Sequence, residues 1–338
     1  MLARTDTPAA AAASEQRPLR QRREPVHGVL LLDKPLGWTS NDALQKCKGL
    51  LRAEKGGHTG TLDPLATGLL PLCFGAATKF SQVSLDADKT YRATLQLGQT
   101  RRGGDLEGEV LIERPVAVDR AALEQACAGF VGAIDQLPPM HSALKKDGKA
   151  LYEYARAGVE VERTPRRITI HHLDIVDWHA DRPDVLVIDV TCSKGTYIRT
   201  LAEDLGEGLG CGAHLAGLRR LGSGPVRLAQ AVTLEQLQAL DEAQRRALLL
   251  SPDALLAEWP AVNLPADEAG RFLSGLRRRV RMPDAAAVRV YGPPEGRAFL
   301  GAAHITAGEL IADRLLSPPE VQSLLTSCPD AAALAQTP

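Results

Sequence analysis

The chain lacks any sustained apolar run. Stretches such as 28–32 and 247–250 fall far short of the ~20 residues that a membrane span needs, so no membrane partner is expected. It also lacks a charge of one sign. With 40 Lys and Arg against 41 Asp and Glu the formal net charge is -1, and no overall basic field announces a nucleic acid. Such a partner would have to be met by a local patch. Paired cysteines are missing as well: Cys47, Cys73, Cys127, Cys192, Cys211 and Cys328 are scattered singly. With no Cys-x-x-Cys pair and no histidine at zinc-ligand spacing, the pattern speaks against a zinc module and suits reduced thiols in the cytoplasm. What remains is globular. A chain of 338 residues at 44% hydrophobic can bury a sizeable core in one large domain, with or without a small one.

Residues 1–27 are low in complexity, an alanine run at 9–13 followed by Arg17, Arg20, Arg22 and Arg23, and are expected to form a disordered tail. Most of the positive charges follow the alanines and no apolar core of adequate length accompanies them, so this is not a secretory signal. Ordered structure is expected from Gly28 onward. The pattern predicts a strand over 28–35 and a helix over 41–51, capped by Thr39 or Ser40, with Ala43, Leu44, Cys47 and Leu51 on one face. Strands are expected over 90–97, 168–175 and 185–192, and helices near 120–130, from 196 to about 206, and over 234–250. Strands and helices mix without regular alternation, which predicts an α+β fold rather than a doubly wound parallel sheet. Pro252, Pro260 and Pro265 mark a boundary. They divide a main domain over 28–252 from a small β-rich module over 253–338, whose basic edge carries Arg271, Arg277, Arg278, Arg279 and Arg281.

The stretch GGHTGTLDPLATGLLPL (56–72) sets one carboxylate, Asp63, between a glycine-rich loop and an apolar run opening with Pro64, a run read here as the start of a helix. Three roles fit the pattern: Asp63 as an N-cap, the loop as a phosphate cradle, or Asp63 as a nucleophile or general base in a pocket. The cradle is the weakest, because no Gly-Lys-Ser/Thr follows and an aspartate would repel the anion. His58 has no serine or cysteine at matching positions, so it assembles no acyl-transfer triad. Further on, CSKGTYIRT (192–200) offers Tyr197 and Arg199 two residues apart at the mouth of a helix. Together they supply a ring for stacking a base and a guanidinium for a carboxylate or phosphate, although a packing tyrosine and a surface arginine would look the same. Further cations stand beside turns at 33–35, 89–92 and 141–149.

Taken in order, GVLLLDKP with SND (28–42), GHTGTLDPLATGLLPL (57–72), ATKF (77–80), DKTYRATLQLGQ (88–99), SALKKDGKALYEYARAG (142–158) and CSKGTYIRTLAEDLGEGLGCGAHLAGLRR (192–220) resemble the bacterial tRNA pseudouridine-55 synthases. The resemblance covers about residues 28–250. It implies a mixed, largely antiparallel central sheet with flanking helices and a C-terminal PUA-like RNA-binding module. It also implies a monomeric cytoplasmic isomerase that converts a uridine in the TΨC loop of tRNA to pseudouridine, its partner being the tRNA T-arm. Asp63 matches the family's essential aspartate, which acts on a flipped-out nucleotide. His58 matches a loop histidine that contacts RNA, Tyr91 the tyrosine that stacks on the target base, and Arg199 the arginine that pairs with the aspartate. Tyr197 and Leu218 match residues lining the same pocket, and Lys34 a basic residue near it. One segment departs: after Gln99-Thr100 the chain runs Arg101-Arg-Gly-Gly-Asp105 where many relatives carry an acidic, threonine-bearing turn, so local RNA contacts there are expected to differ.

Elementary chemistry agrees with these roles. Exchanging an N–C for a C–C glycosidic bond requires the base to detach, rotate and reattach in one pocket, and an enclosed carboxylate serves this without metal or redox carrier. Once water leaves, that carboxylate needs a counter-charge, which Arg199 can supply. Two other classes remain: an RNA-binding protein without chemistry, and an aspartate-dependent hydrolase. The first has no evident use for an enclosed acid, and the second would want a second carboxylate or a metal cluster near GHTGTLDP.

Overall fold

The computed structural model describes residues 22–293 and 297–327. Buried side chains alternate along two central strands, at Ala93, Leu95 and Leu97 in Lys89–Leu97 and at Leu186, Ile188, Val190 and Cys192 in Arg182–Cys192. Together with eight others they form a ten-stranded sheet. Its order is Val232–Thr233, Gly28–Lys34, Ala66–Phe74, Ala213–Ser223, Lys89–Leu97, Arg182–Cys192, Arg166–His179 and Gly132–Gln136, with Gly56–His58 against Ala66–Phe74 and Val226–Arg227 against Ala213–Ser223. Pairing is parallel only between Gly28–Lys34 and Val232–Thr233 and between Ala66–Phe74 and Ala213–Ser223. The fold is therefore the expected α+β, with a mixed and largely antiparallel sheet.

One face of the sheet carries two separate cores. Helix Ser40–Leu50 covers Leu30, Leu32, Leu70, Leu72 and Phe74, whereas helices Arg120–Phe130 and Ile198–Gly208 cover Ala93, Leu95, Ile170, Ile188 and Val190. Between them runs a cleft, floored by Tyr91 and Leu218, which pack against both clusters. On the opposite face Val29, Leu31, Leu69 and Cys73 share one core with Phe272, Val288, Val290, Phe299 and Leu300 of a second, five-stranded sheet, ordered Ala261–Asn263, Ala285–Gly292, Ala298–Thr306, Glu309–Leu315, Arg278–Arg279. The rings of Phe80 and Phe299 meet across this junction at 5.2 Å. The C-terminal sheet thus buttresses the strands that carry the loop holding Asp63.

Four sequence expectations need correction. The apolar run after Pro64 is the strand Ala66–Phe74, so Asp63 caps no helix. Pro71 explains the difference, since it would break a helix but is tolerated here. On the edge away from Gly28–Lys34, the strand pairs with Ala213–Ser223 only as far as Gly68 and with Gly56–His58 only from Leu72; beyond that Thr59 N–H alone reaches the Pro71 carbonyl, so the missing N–H forgoes at most one bond at the end of the ladder. The stretch over 234–250 forms two short helices, Leu234–Ala239 and Glu242–Ala247, separated where the Asp241 side chain caps the second. The helix expected from 196 begins at Ile198, which sets Arg199 in its first turn. The tail expected over 1–27 is ordered in its last part: Val26 is buried, and Glu24 pairs with Arg52 at 2.7 Å and with Arg246 at 2.5 Å. Residues 1–21 lie outside the described residues, as do most of the expected turn at 292–296 and Cys328. The other five cysteines are free and buried. No helix among the described residues is long and apolar enough to cross a membrane.

Candidate active site

Strands Gly56–His58 and Ala66–Phe74 form a hairpin, and Asp63 sits in its loop, 59–65, over the cleft. The loop's backbone is tied down nearly residue by residue. Thr59 N–H donates to the Pro71 carbonyl at 3.1 Å, while the Thr59 hydroxyl accepts from Ser84 at 2.9 Å. The buried Ser40 hydroxyl, on the first turn of helix Ser40–Leu50, accepts from Leu62 N–H at 2.7 Å and donates to the Leu62 carbonyl at 3.0 Å. Gly37 N–H donates to the Pro64 carbonyl at 2.9 Å, and Ala66 N–H to that of Asp63 at 3.0 Å. A loop bonded this often holds its one acid in one place, which is what positional catalysis needs.

Arg199 meets that acid from the other side of the cleft. Its Nη2 lies 3.1 Å from Asp63 Oδ2, and its Nη1 lies 3.5 Å from the buried Asp105. Nη2 also donates to the His141 carbonyl at 2.7 Å. The guanidinium side chain is 10% exposed and that of Asp63 53%, so the cation is fixed in the wall while the acid faces the opening. Glu203, one turn further along the same helix, is pushed up to about 7 by burial and by Asp204, with Arg199 pulling the other way.

The sheet floor supplies the remaining groups. Direct register partners place Lys34, Gly68, Arg220 and Tyr91 in one row across four strands, on the cleft face. Burial holds the Tyr91 hydroxyl above its ordinary value, and Arg220 opposes this. Leu218, two residues before Arg220, stands opposite Ala66 and Ala93 as the apolar part of the floor. Lys34 is fully buried, with its ammonium donating to the carbonyls of Pro35 at 2.9 Å and Trp38 at 2.6 Å. Desolvation pulls it down to about 8 although Asp63 raises it. His58 is half-buried, its Nδ1 without a partner among the described residues; burial, then Arg220, lowers its pKa and favours the neutral ring. Tyr197 is bracketed by Gln136, which accepts from its N–H at 2.8 Å and donates to its carbonyl at 3.1 Å. Burial raises the Tyr197 hydroxyl as well.

All seven residues singled out from sequence therefore converge on this cleft or its walls. Three others were missed. The sequence offers Ser40 only as an alternative to Thr39 for the helix cap, a place Thr39 takes; Arg220 lay inside a quoted motif without a role, and Asp105 lay in the departing segment 101–105, where it turns out to share Arg199 with Asp63. The cations noted beside the turn at 89–92 serve elsewhere: Lys89 caps the carbonyls of Ser84, Leu85 and Ala87, and Arg92 pairs with Asp189 on the opposite face.

Two consequences can be measured. Replacing Ser40 by Ala leaves Leu62 N–H buried without its acceptor, which costs about 1–3 kcal/mol, and frees the residue next to Asp63. The turnover rate should fall roughly tenfold to a hundredfold, checked by single-turnover kinetics beside urea unfolding. The second consequence concerns pH. Burial pulls Lys34 and Lys89 down to about 8 against an ordinary 10.5, so above pH 8 each of these two groups holds more proton in the unfolded chain than in the folded one. The buried thiols of Cys47, Cys73, Cys127 and Cys192, pushed up by burial, act the other way, so the lysine contribution is read as a difference: wild type should gain stability relative to Lys34→Met between pH 8 and about 10, measured by urea unfolding.

The mixed sheet, with Asp63, Arg199 and Tyr91 gathered in a cleft across its face, has the pseudouridine synthase fold. Among solved structures, a Cbf5-Nop10-Gar1 complex matches at a TM-score of 0.67 and 22% identity, covering 92% of this chain and 94% of that one. An H/ACA RNP bound to a substrate RNA containing 2'-deoxyuridine matches at 0.65 and 21%, covering 87% and 86%. Residues 48–198 match the TruB family pseudouridylate synthase N-terminal domain, and 199–257 and 260–316 match C-terminal domains of the same family. Proteins named tRNA pseudouridine synthase B are 58% identical in Cupriavidus pinatubonensis, over 90% of this chain and 98% of the relative, and 59% identical in Ralstonia nicotianae, over 90% and 99%. The chain belongs to the TruB family of pseudouridylate synthases.

Proposed function

We propose that the protein isomerises uridine 55, in the T loop of tRNA, to pseudouridine, with Asp63 as the group that acts on the nucleotide. The observation that carries this is the 3.1 Å pair between Asp63 and Arg199 over a floor containing Tyr91. It gives one half-exposed acid with a buried counter-charge, beside a ring on which an extruded base can stack. Extrusion from the loop costs a few kcal/mol, offset in part by stacking on Tyr91. In this reading Leu218 and Tyr197 wall in the base, and His58 and Lys34 contact the surrounding RNA. Tyr91, on the cleft floor, also assists removal of the C5 proton in this reading. The C-terminal module, 253–338, with arginines at 277, 278, 279 and 281, adds affinity for the tRNA. The uniform term is electrostatic and local, because the chain's net charge is -1, so affinity should fall steeply with salt.

Isomerisation forms a bond at uracil C5 and releases its proton. An unmodified tRNA transcript carrying tritium at uracil C5 should therefore lose tritium with wild-type enzyme, up to one equivalent per transcript. A transcript with cytidine at position 55 should lose none. No release from the uridine transcript would overturn the proposed activity, and equal release from both would overturn the assigned position.

A further inference from the structure

Arg220 is among the largest fully buried side chains of the molecule, at 1% exposure, and among the described residues it has no carboxylate within ion-pair distance. A buried cation without an anion is costly, and this one also sits among cations: it lowers the pKa values of Lys34, His58 and Lys89. Packing alone would be better met by leucine or methionine. What the guanidinium does instead is bond in two directions. Its Nε donates to the Leu69 carbonyl at 2.7 Å, filling the gap in the ladder between Gly68 and Leu72. Its Nη2 donates to the Gly60 carbonyl at 3.2 Å, three residues before Asp63. Tyr91 stands directly opposite in the antiparallel register, and Arg220 works against the burial that raises its hydroxyl.

We propose that Arg220 is a positioning residue for the isomerisation, tying the Asp63 loop to the sheet through the Gly60 and Leu69 carbonyls beside the Tyr91 ring of the neighbouring strand. A guanidinium has five N–H groups in a fixed fork and no acceptor, which suits two carbonyls lying in different directions. Arg199 on one wall and Arg220 on the floor thereby divide the work: the first pairs with the acid, and the second fixes where the acid's loop and the ring stand. Lysine cannot replace it, because a single ammonium lacks the rigid fork by which Nε and Nη2 reach two different carbonyls.

This rests on the proposed isomerase activity, and the test separates the two. The chain has five tyrosines, so enzyme made with ring-labelled tyrosine gives five assignable signals, Tyr91 being identified by Tyr91→Phe. Arg220→Lys and Arg220→Met are compared with wild type in that spectrum, in tRNA affinity and in single-turnover tritium release. For Arg220→Lys we expect a displaced Tyr91 signal with the other four unmoved, tRNA affinity within about threefold, and a release rate lowered at least about thirtyfold. Arg220→Met should show the same displacement and a lower rate still; if it fails to fold, Arg220→Lys carries the test alone. An unmoved Tyr91 signal, a release rate within threefold of wild type, or a loss confined to affinity would each overturn the proposal. No release by wild type would instead overturn the activity, while the Tyr91 signal would still report on Arg220.

Discussion

Asp63→Asn lowers tritium release at least about a thousandfold while leaving tRNA affinity within about threefold: this is the expected result for the residue on which the chemistry is placed. The asparagine has nearly the shape of aspartate, and the loop is held by its backbone through Ser40, Gly37 and Arg220, none of which touches the Asp63 carboxylate. The counter-ion is not stranded either, because Arg199 keeps Asp105 at 3.5 Å and the His141 carbonyl at 2.7 Å. Since the Asp63 side chain is half exposed, loss of its pairing should cost less than about 1 kcal/mol in stability. Chemistry and folding are thus separable at this position. A variant that still released tritium at a tenth of the wild-type rate would remove Asp63 from the catalytic step.

Gly68→Ala should damage the molecule by a different route. Gly68 lies in the left-handed region at φ +97, and a Cβ there would stand 2.4 Å from the Arg220 carbonyl oxygen and 2.8 Å from its nitrogen. Both atoms are backbone in a paired strand, so no rotamer change can yield; the two strands must part. Positive φ in alanine and a forced strand separation together should cost roughly 3–5 kcal/mol, read as a lower urea midpoint and thermal midpoint. Because the residue pushed is Arg220, the row Lys34, Gly68, Arg220, Tyr91 is disturbed as well. Variant protein that is still folded at low temperature should therefore turn over more slowly than its folded fraction accounts for, as measured by single-turnover kinetics beside circular dichroism.

Much of this site was legible in the residues themselves, but unevenly. Asp63 stood out because a lone acid in a glycine-rich loop has few uses, and the ordered motifs around it brought Tyr91, Arg199, Tyr197, Leu218, His58 and Lys34 into view. Strands with a clear alternation, such as Lys89–Leu97, and helices with a clear face, such as Ser40–Leu50 and Arg120–Phe130, were readable for the same local reason. The run after Pro64 was not. It is buried on both faces, so it has no polar side to show its period, and only its sheet neighbours decide that it is a strand. The long helix expected over 234–250 failed where Asp241 found the next helix's N–H groups to cap.

By itself the sequence determined the α+β class and the order of the motifs, and it put Asp63 forward as the acid, because each of these resides in local pattern, residue type or the likeness of ordered motifs. Only the tertiary structure decided who holds that acid. Ser40 reaches Leu62 across 22 residues and Arg220 reaches Gly60 across 160, and Asp105 joins Arg199 from a segment whose sequence suggested merely a turn. Serine and arginine are ordinary residues at any position of a chain. Their roles come from burial beside an unpaired carbonyl or N–H, and that circumstance arises only when the sheet has brought distant strands together.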